Sequence, residues 1–367
     1  MTDKPLALFT SYCSSIYGTE RMLLATAEIL SPEFDTCLLS PEGLLQREAR
    51  DLGMQALSFA GRGEFVSRIR QILRERRDLA VFTTSAWHSV VFAAVNAVYR
   101  RRAAHFHMVH GGSPERDSYS RKHHLKPLNL RFVCPSPFVR ERLSHYGVPG
   151  RRVTVVPNFL SDTRVTEIIA HPRFEADGVR SVVVVSRVDP IKRVDLLMDM
   201  LDRCPEFDSM PIRVVGGGGE LQAMERRASS HPQITFTGPS SEALREIGSA
   251  DLLLHLCPEE PFGLVILEAF ASGVPVLVPD RGGAAGIVDN LDTGYVFRSN
   301  DVDSLAAALR ALRQMPGSEL NRVAAAARDK FESTYRSPMA SVLLRDLIRV
   351  GFEGQAVEKP RATAVNA

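Results

Sequence analysis

Two glutamates, Glu260 and Glu268, flank a segment that turns from a Pro/Gly loop into an apolar helix, which we expect to begin at Phe262. A helix N-terminus carries partial positive charge, so this segment could hold different parts of one polar, anionic ligand. If residues 260–268 were all helical, the two carboxylates would lie ~12 Å apart along the axis, whereas glycosidase pairs lie roughly 5 to 9.5 Å apart. We therefore interpret the two glutamates as holders of separate ligand groups, with two surface carboxylates as the alternative.

Two cations, Arg187 and Lys192, directly follow a valine-rich run at residues 180–186 that predicts a buried parallel strand. Arginine offers a planar fork of donors and lysine a point charge, so the pair could bracket a diphosphate. Ligands bind beyond the carboxyl ends of parallel strands, which supports this interpretation, and a solvated basic loop is an equal alternative.

Three further loops could approach a ligand. Gly216 opens a run of four glycines after a predicted strand, and Gly18 lies where a loop enters a helix. The glycine run does not match the dinucleotide fingerprint, and a plain strand-to-helix turn is an equal alternative. His110 follows a strand that also carries His105 and His107; a metal site on these three is the minor alternative, and His110 is the candidate for substrate contact.

The composition indicates a soluble globular protein, because 44% of the 367 residues are hydrophobic and 24% are charged. Five scattered cysteines without a CxxC pair favour a reducing cytosol and argue against structural zinc. The start of the chain lacks a signal-peptide pattern, and no apolar run reaches the ~18 residues of a membrane span. Residues 1–160 carry 22 lysines and arginines against 14 acids, so this half is expected to face an anionic partner.

Short apolar strands alternate with helical runs twice along the chain, which predicts an α/β fold of two Rossmann-like domains. We place the N-terminal domain at residues 1–160, an irregular linker at 159–178, and the C-terminal domain at 178–335. A helix over 336–351 and a disordered tail over 352–367 complete the prediction.

A basic amphipathic helix is predicted around Arg62–Arg77, with Phe65, Ile69, Ile72 and Leu73 on one face. Such a helix could lie on an anionic membrane surface, and an ordinary domain helix with a solvated face is an equal alternative. Aromatic residues are not interleaved with its arginines and no nucleic-acid motif is present, so we expect no nucleic-acid binding.

Taken in order, these segments resemble the glycosyltransferase family 4 enzymes, which have the GT-B fold. The sharpest element runs from Glu260 through Pro-Phe-Gly-Leu-Val-Ile-Leu to Glu268 and matches the family's paired-glutamate motif. Residues 186–192 resemble the family's diphosphate-binding loop, and residues 280–283 the glycine turn that follows the next strand. The resemblance implies two Rossmann-like domains facing across a cleft, with a C-terminal helix that crosses back to the first domain.

The resemblance also implies roles for individual residues. Arg187 and Lys192 would neutralise the leaving diphosphate, Glu260 would hydrogen-bond the donor sugar, and Glu268 would hold the ribose. His110 would contact the sugar, so the implied catalytic residues are Glu260, His110, Arg187 and Lys192. The implied substrate-binding residues are Gly18, Arg187, Lys192, Gly216, Gly238, Glu260, Phe262, Gly263, Leu264 and Glu268. No metal or other cofactor is expected, because the arginine and the lysine take its place. Tyr17 stands where many relatives have a glycine.

The predicted function is therefore retaining transfer of a sugar from a nucleotide-diphosphate donor, such as a UDP- or GDP-sugar, to an acceptor hydroxyl in polysaccharide or glycolipid assembly. The alternatives are a sugar-nucleotide epimerase or phosphorylase on the same fold, or a non-catalytic nucleotide-sugar-binding protein; an oxidoreductase is more distant. The expected partners are a nucleotide sugar, a glycan or glycolipid acceptor, and an anionic membrane surface contacted through the Arg62–Arg77 helix. The expected location is the cytoplasm, with peripheral association at the inner membrane face left open.

Overall fold

The computed structural model describes residues 4–111, 119–240 and 242–353. The chain divides into two compact units. The first unit comprises residues 1–135, 139–156 and 340–367, and the second comprises residues 136–138 and 157–339. The segment predicted as a linker, residues 159–178, therefore lies entirely within the second unit, and it contains a short helix, α6 (Asp162–Thr166).

The first unit is built on a seven-stranded sheet in which every paired strand is parallel. The sheet order is β3-β2-β1-β4-β5-β6-β7. The strands are β1 (Leu6–Thr10), β2 (Asp35–Ser40), β3 (Gln55–Ser58), β4 (Asp78–Thr83), β5 (Arg102–Met108), β6 (Arg131–Cys134) and β7 (Val153–Val155). The helices before the last segment are α1 (Gly18–Leu30), α2 (Leu44–Asp51), α3 (Arg62–Glu75), α4 (Ala86–Tyr99) and α5 (Pro137–His145).

The second unit is built on a six-stranded parallel sheet in the order β10-β9-β8-β11-β12-β13. The strands are β8 (Val182–Val185), β9 (Ile212–Val215), β10 (Ile234–Gly238), β11 (Leu252–Leu254), β12 (Val276–Pro279) and β13 (Tyr295–Phe297). The helices that follow α6 are α7 (Val194–Arg203), α8 (Leu221–Arg227), α9 (Ala243–Gly248), α10 (Leu264–Ser272), α11 (Gly282–Ala285), α12 (Val302–Arg313) and α13 (Gly317–Thr334).

Strand β8 is buried on both faces of the second sheet, as its valines predict. Val182 and Val184 belong to one hydrophobic cluster, while Val183 belongs to the cluster on the other face. Apolar side chains on both faces are typical of a parallel strand covered by helices. The loop that carries Arg187 and Lys192 therefore starts from a strand that is buried on both faces and flanked by β9 and β11.

The last helix, α14 (Ser337–Glu353), begins in the second unit and continues into the first. Gly351 lies against Phe106 of β5, because a Cβ there would come within 2.7 Å of the phenyl ring. Arg102 stacks over the ring of Phe352 at 4.9 Å. The helix thus extends two residues beyond 351, where the sequence predicted its end, and residues 354–367 of the predicted tail lie outside the described residues. Among the described helices, none combines the length and apolarity that crossing a membrane requires.

Three buried histidines line the first sheet as neutral side chains. His88 Nδ1 lies 3.1 Å from the Thr10 hydroxyl, and His107 Nδ1 lies 2.8 Å from the Ser89 hydroxyl. Burial lowers the pKa of His88 to about 4 and that of His105 to about 3. Burial also places the pKa of His107 well below its ordinary value.

These histidines predict that stability falls in mild acid. Because their folded pKa values lie below the unfolded value near 6.5, their contribution is complete above pH 6.5 and is lost as the pH falls towards the folded values. Each should cost roughly 1.4 kcal/mol per pH unit below about 6.5. Urea unfolding at several pH values between 7.5 and 5 measures this loss in a window above the titration of ordinary carboxylates. A flat profile over that window would contradict the prediction.

Candidate functional site

Lys192 and Glu260 form a close ion pair at the carboxyl edge of the second sheet. Lys192 ends a short 3₁₀ turn (Pro190–Lys192) in the loop after β8, and Glu260 lies in the loop between β11 and α10. Lys192 Nζ donates to Glu260 Oε2 at 2.5 Å. The two side chains are only 18% and 15% exposed, so the pair is largely shielded from water. Charged groups of this kind, held at the edge where ligands bind, can act on a polar substrate with little screening.

A histidine completes this cluster. His255 Nε2 lies 3.7 Å from the same Glu260 oxygen and has no hydrogen-bond partner among the described residues. Burial lowers the pKa of His255 to about 4, so the ring is neutral at neutral pH. It follows directly after β11, at the carboxyl end where substrate contacts are expected, and sequence reasoning passed over it. That position was the signal that could have identified it.

The charge states of the ion pair are set by the two partners together. Burial by itself would lower the pKa of Lys192, but the Glu260 carboxylate outweighs it and holds that pKa above its ordinary value. Burial would raise the pKa of Glu260, but the Lys192 ammonium outweighs it, so the pKa lies below its ordinary value. Lysine and glutamate are therefore both charged at neutral pH.

The start of α10 differs from the sequence prediction, which began the helix at Phe262. Gly263 has φ of +102° and caps the helix, whose first residue is Leu264. A left-handed residue here explains why glycine occupies the position. The change of direction at Gly263 also invalidates the assumption that residues 260–268 are continuously helical. The Ile266 N–H donates to the Gly263 carbonyl at 3.0 Å. The N–H groups of Leu264 and Val265, the first two of the helix, have no acceptor within it and can face an anion.

Glu268 has its own cationic partner. It lies in the second turn of α10 and is 8% exposed. Arg164 of α6 donates to Glu268 Oε1 from Nε at 3.1 Å and from a terminal nitrogen at 2.8 Å. Burial would lower the pKa of Arg164, but Glu268 outweighs it and raises that pKa. Glu260 and Glu268 thus make different ion pairs, and Arg164 is a second neighbour that sequence reasoning missed.

Arg187 is the exposed cation of the loop after β8. Its guanidinium lies 2.8 Å from the Asp189 carboxylate, and 60% of its side chain is exposed. The second oxygen of Asp189 accepts the Gly219 N–H at 3.0 Å. Asp189 therefore both steadies Arg187 and ties its loop to the glycine run.

The glycine run makes its close approach to a neighbouring loop. A Cβ on Gly216, which has φ of +143°, would lie 1.9 Å from the carbonyl oxygen of Ser186. A Cβ on Gly218 would lie 2.3 Å from the carbonyl oxygen of Val188. Gly216 N–H also donates to the carbonyl of Gly238 at 2.9 Å. The absence of side chains in the glycine run thus allows its backbone to pack directly against the loop that carries Arg187 and Lys192.

A second glycine pair supports the Glu260 loop. The Gly283 N–H donates to the Glu260 carbonyl at 2.6 Å. A Cβ on Gly283 would lie 2.1 Å from the carbonyl of Pro261, and one on Gly282 would lie 2.8 Å from that of Pro258. The turn after β12 is therefore a backbone support for Glu260. Phe262, adjacent to it, is 4% exposed and packs in the core.

The candidates from the N-terminal half lie at the carboxyl edge of the first sheet. Gly18 is the first residue of α1 and is exposed, and Glu20 accepts both the Tyr17 N–H at 3.3 Å and the Ser11 hydroxyl at 3.0 Å. His110 lies two residues beyond the end of β5 and is half-buried. Within the described ranges, no three side chains lie close enough together to hold a metal ion. The structure therefore gives no support to a metal site formed by His105, His107 and His110.

Two family models match consecutive parts of the chain. The Glycosyltransferase Family 4 model matches residues 26–164, and the model of Glycosyl transferases group 1 matches residues 166–330.

Curated relatives match parts of the chain. A GDP-mannose-dependent alpha-mannosyltransferase of Mycolicibacterium smegmatis is 29% identical over 240 residues, which are 63% of this chain and 60% of that protein. A D-inositol 3-phosphate glycosyltransferase of Rhodococcus jostii is 32% identical over 191 residues, which are 47% of this chain and 42% of that protein. The chain thus spans less than two thirds of the length of these relatives.

Solved structures match almost the whole chain. HepE of Anabaena, in complex with UDP and glucose, superposes with a TM-score of 0.80 at 17% identity, over 94% of this chain and 99% of that one. A glycosyltransferase from Rickettsia africae superposes with a TM-score of 0.76 at 17% identity, over 96% and 100% of the two chains. At this identity the likeness concerns the fold, which is GT-B, as predicted.

Proposed function

Because the chain belongs to glycosyltransferase family 4, we propose that it transfers a sugar from a nucleoside diphosphate donor to an acceptor hydroxyl. The observation that carries the proposal is the shielded Lys192–Glu260 pair, held 2.5 Å apart at the carboxyl edge of the second sheet. A lone lysine or glutamate on that edge would be an ordinary surface charge. A buried pair costs desolvation, so its presence favours a ligand-binding role over a purely stabilising one.

In the proposed mechanism, the second unit binds the donor. Lys192 and the exposed Arg187 neutralise charge that develops on the leaving diphosphate, which is electrostatic stabilisation of the transition state. The N–H groups of Leu264 and Val265 at the start of α10 add partial positive charge to the same region. Glu260 accepts hydrogen bonds from donor-sugar hydroxyls, and Lys192 holds it ionised for that task. No metal is required in this scheme, because the two side chains supply the positive charge.

Glu268 is proposed to accept the ribose hydroxyls of the donor. Arg164 donates to Oε1 through two nitrogen atoms, which orients the carboxylate, and Oε2 has no hydrogen-bond donor within the described part of the chain. Gly216 and Gly238, linked by a backbone hydrogen bond, are proposed to lie near the base, as the family resemblance implies. From the first unit, Gly18 is proposed to approach the phosphate and His110 the sugar. We further propose that the transfer retains the anomeric configuration.

The base and the sugar of the donor are the first properties to test. The mannosyltransferase relative is GDP-dependent, and HepE was crystallised with UDP and glucose. We expect one base class among UDP-, GDP- and ADP-sugars to raise the melting temperature of the protein, since a ligand specific for the folded state stabilises it. The stabilising donor should then be consumed in the presence of glycan or glycolipid acceptors, with NMR showing the donor's anomeric configuration in the product.

The control for this experiment is Lys192→Met, in which the same donor should give a much smaller shift. Absence of stabilisation by every nucleotide sugar would overturn the proposed donor site. Conversion of the donor to an epimer without an acceptor would favour the epimerase alternative, and transfer to inorganic phosphate the phosphorylase alternative. Stabilisation without turnover on any acceptor, and without donor hydrolysis, would favour a non-catalytic binding protein.

We also propose that the first unit contacts an anionic membrane through α3 and α4. Helix α4 exposes an apolar stripe at helical spacing, formed by Val90, Ala94, Ala97 and Val98. Arginines of α3 border it: Arg62 stacks over Trp87 at 5.6 Å, and Arg74 Nε donates to the Tyr99 hydroxyl at 3.2 Å. Arginines and interfacial aromatic residues beside an exposed apolar stripe are typical of a membrane-surface contact.

Neutralising the arginines of α3 should weaken this contact strongly. We expect Arg68→Gln/Arg70→Gln/Arg74→Gln to reduce co-sedimentation with phosphatidylglycerol-containing vesicles roughly 100-fold, at about 1 kcal/mol for each charge near the surface. Arg203→Gln/Arg226→Gln/Arg245→Gln removes three exposed charges from the second unit and should bind like the wild type. Binding that is indifferent both to salt and to the α3 variant would leave α3 an ordinary solvated helix.

A further inference from the structure

Arginines collect at the amino ends of four neighbouring strands in the first sheet. Strands β4, β5, β6 and β7 are adjacent and parallel, so their amino ends share one edge. The arginines at this edge are Arg76 and Arg77 before β4, Arg100, Arg101 and Arg102 at β5, Arg131 at β6, and Arg151 and Arg152 before β7. This edge is opposite to the carboxyl edge of the same sheet, where Gly18 and His110 lie, so the cluster is separate from those two candidates.

Some of these arginines are neutralised within the protein. Arg76 lies 2.7 Å from the Asp35 carboxylate, and Arg102 lies 3.8 Å from that of Asp78. Arg101 Nε donates to the Leu73 carbonyl at 2.7 Å. These contacts give three of the five arginines near β4 and β5 structural partners.

The arginines at β6 and β7 surround a cavity instead. A cavity of about 190 Å³ is lined by His105, Asn129, Leu130, Arg131, Arg151, Arg152 and Gly351. No acidic side chain is among these residues. Glu353, the acid nearest to Gly351 along the helix, is paired with Arg349 at 2.8 Å. The lining therefore brings together three positive charges without a counter-charge.

The three arginines are not equally engaged. Arg152 donates from one terminal nitrogen to the carbonyls of Lys126 and Leu128, at 2.5 and 3.0 Å. The side chains of Arg131 and Arg151 make no hydrogen bond or ion pair within the residues that the structure describes. Like charges held around one cavity repel each other, and a bound anion removes that repulsion.

We propose that this cavity binds a phosphate group. Guanidinium forks match the geometry of phosphate oxygens, and Arg131 and Arg151 would form the charge-assisted contacts. Asn129 offers a neutral amide donor, and Arg152, fixed by two carbonyls, forms a rigid cationic wall. The cavity is smaller than the roughly 300–1,000 Å³ of sites for drug-sized ligands, so it fits a phosphate-bearing headgroup or a small diphosphate rather than a whole nucleotide sugar.

The inference is independent of sugar transfer, and its test reads binding alone. Inorganic pyrophosphate is the probe, and its effect on the melting temperature is measured at constant ionic strength. The cavity variant is Arg131→Gln/Arg151→Gln, which removes only side chains without internal partners and should fold. A charge-matched control, Arg47→Gln/Arg245→Gln, changes two exposed arginines elsewhere. Because pyrophosphate could also enter the proposed donor site, Arg187→Gln/Lys192→Gln is the third variant.

We expect pyrophosphate still to raise the melting temperature of the donor-site variant. Adding the cavity changes to that variant should weaken the apparent affinity for pyrophosphate about tenfold or more. The charge-matched control should respond like the wild type. If all stabilisation disappears with the donor-site changes alone, or if the cavity changes leave the response intact, the cavity is not a phosphate site.

A second arm distinguishes the source of the phosphate. Vesicles that contain phosphatidylglycerol and vesicles of phosphatidylcholine alone are compared for wild type, the cavity variant and the α3 variant. Weaker sedimentation of the cavity variant with anionic vesicles would identify a lipid headgroup as the ligand. Unchanged sedimentation together with a lost pyrophosphate response would identify a soluble phosphate compound.

Discussion

Replacing Lys192 by methionine is expected to reduce the rate of sugar transfer by roughly 100- to 1,000-fold, the usual cost of removing one group that stabilises developing negative charge. Methionine keeps the length of the apolar stem and removes only the ammonium group. The proposed donor site would then lack the cation that lies 2.5 Å from Glu260, and Arg187 would be the remaining side-chain cation proposed for the diphosphate. The effect is measured by steady-state kinetics with the nucleotide sugar that raises the melting temperature. Turnover near that of the wild type would contradict the role proposed for Lys192.

The same substitution should also destabilise the protein, because it leaves the Glu260 carboxylate shielded and unpaired. Removing one partner of a buried ion pair costs roughly 3–5 kcal/mol. An alanine substitution at either position is therefore a poor test by itself, since it mixes lost chemistry with lost stability. The double variant Lys192→Met/Glu260→Gln removes both charges, so it should regain most of the melting temperature and none of the activity.

The matched control uses a lysine pair away from the candidate site. Lys330 Nζ lies 2.6 Å from an Asp289 carboxylate that is 62% exposed. Exposed pairs contribute only about 0–1 kcal/mol, so Lys330→Met should change neither transfer nor stability appreciably. Recovery of activity in the Lys192→Met/Glu260→Gln variant would show that the pair is structural, and the proposed donor site would have to be abandoned.

The architecture was largely predictable from the sequence, because local patterns determine it. The valine run at β8 predicted a buried parallel strand, and its two faces do join different cores. Strand β3 (Gln55–Ser58) was missed because it is four residues long, with polar residues at both ends. Strand β13 (Tyr295–Phe297) has only three residues, too few to show a period.

The contacts of the candidate site were less predictable, because they join residues far apart in the chain. Arg164 meets Glu268 across 104 residues, and Lys192 meets Glu260 across 68. Spacing along the chain identified the loop and the helix, and it could not assign the partners. The start of α10 was placed too early because the left-handed conformation of Gly263 is not visible in an apolar run.

The glycine run is the feature whose interpretation the structure changed most. Its sequence suggested either close approach to a ligand or a plain turn. The backbone of residues 216–219 instead meets the loop after β8: Val188 N–H donates to the Gly217 carbonyl at 2.9 Å, and Glu220 N–H donates to the Val188 carbonyl at 2.9 Å. Through these backbone contacts the glycine run holds in place the loop that carries Arg187 and Lys192.

Gly216→Ala is accordingly expected to impair both stability and transfer. The added Cβ would lie 1.9 Å from the Ser186 carbonyl oxygen, and alanine would also have to adopt φ of +143°. Backbone strain of this kind costs roughly 1–3 kcal/mol, and overpacking adds a similar amount. The clash is with backbone, so no side-chain rotation can relieve it, and one of the two loops must move.

A displaced loop would move Arg187 and Lys192 away from the donor diphosphate, and a shift of about 1 Å can cost roughly 100-fold in rate. Gly219→Ala, in the same run, is the matched control: its Cβ would lie 3.9 Å from the nearest atom, an Asp189 oxygen. Thermal unfolding and kcat/KM of the two variants show whether the effect comes from the loop contact of Gly216 or from any alanine in the run. If both alanines behave alike, the run does not position the cations; if only Gly216→Ala is impaired, the support of the loop after β8 is the reason for its glycines.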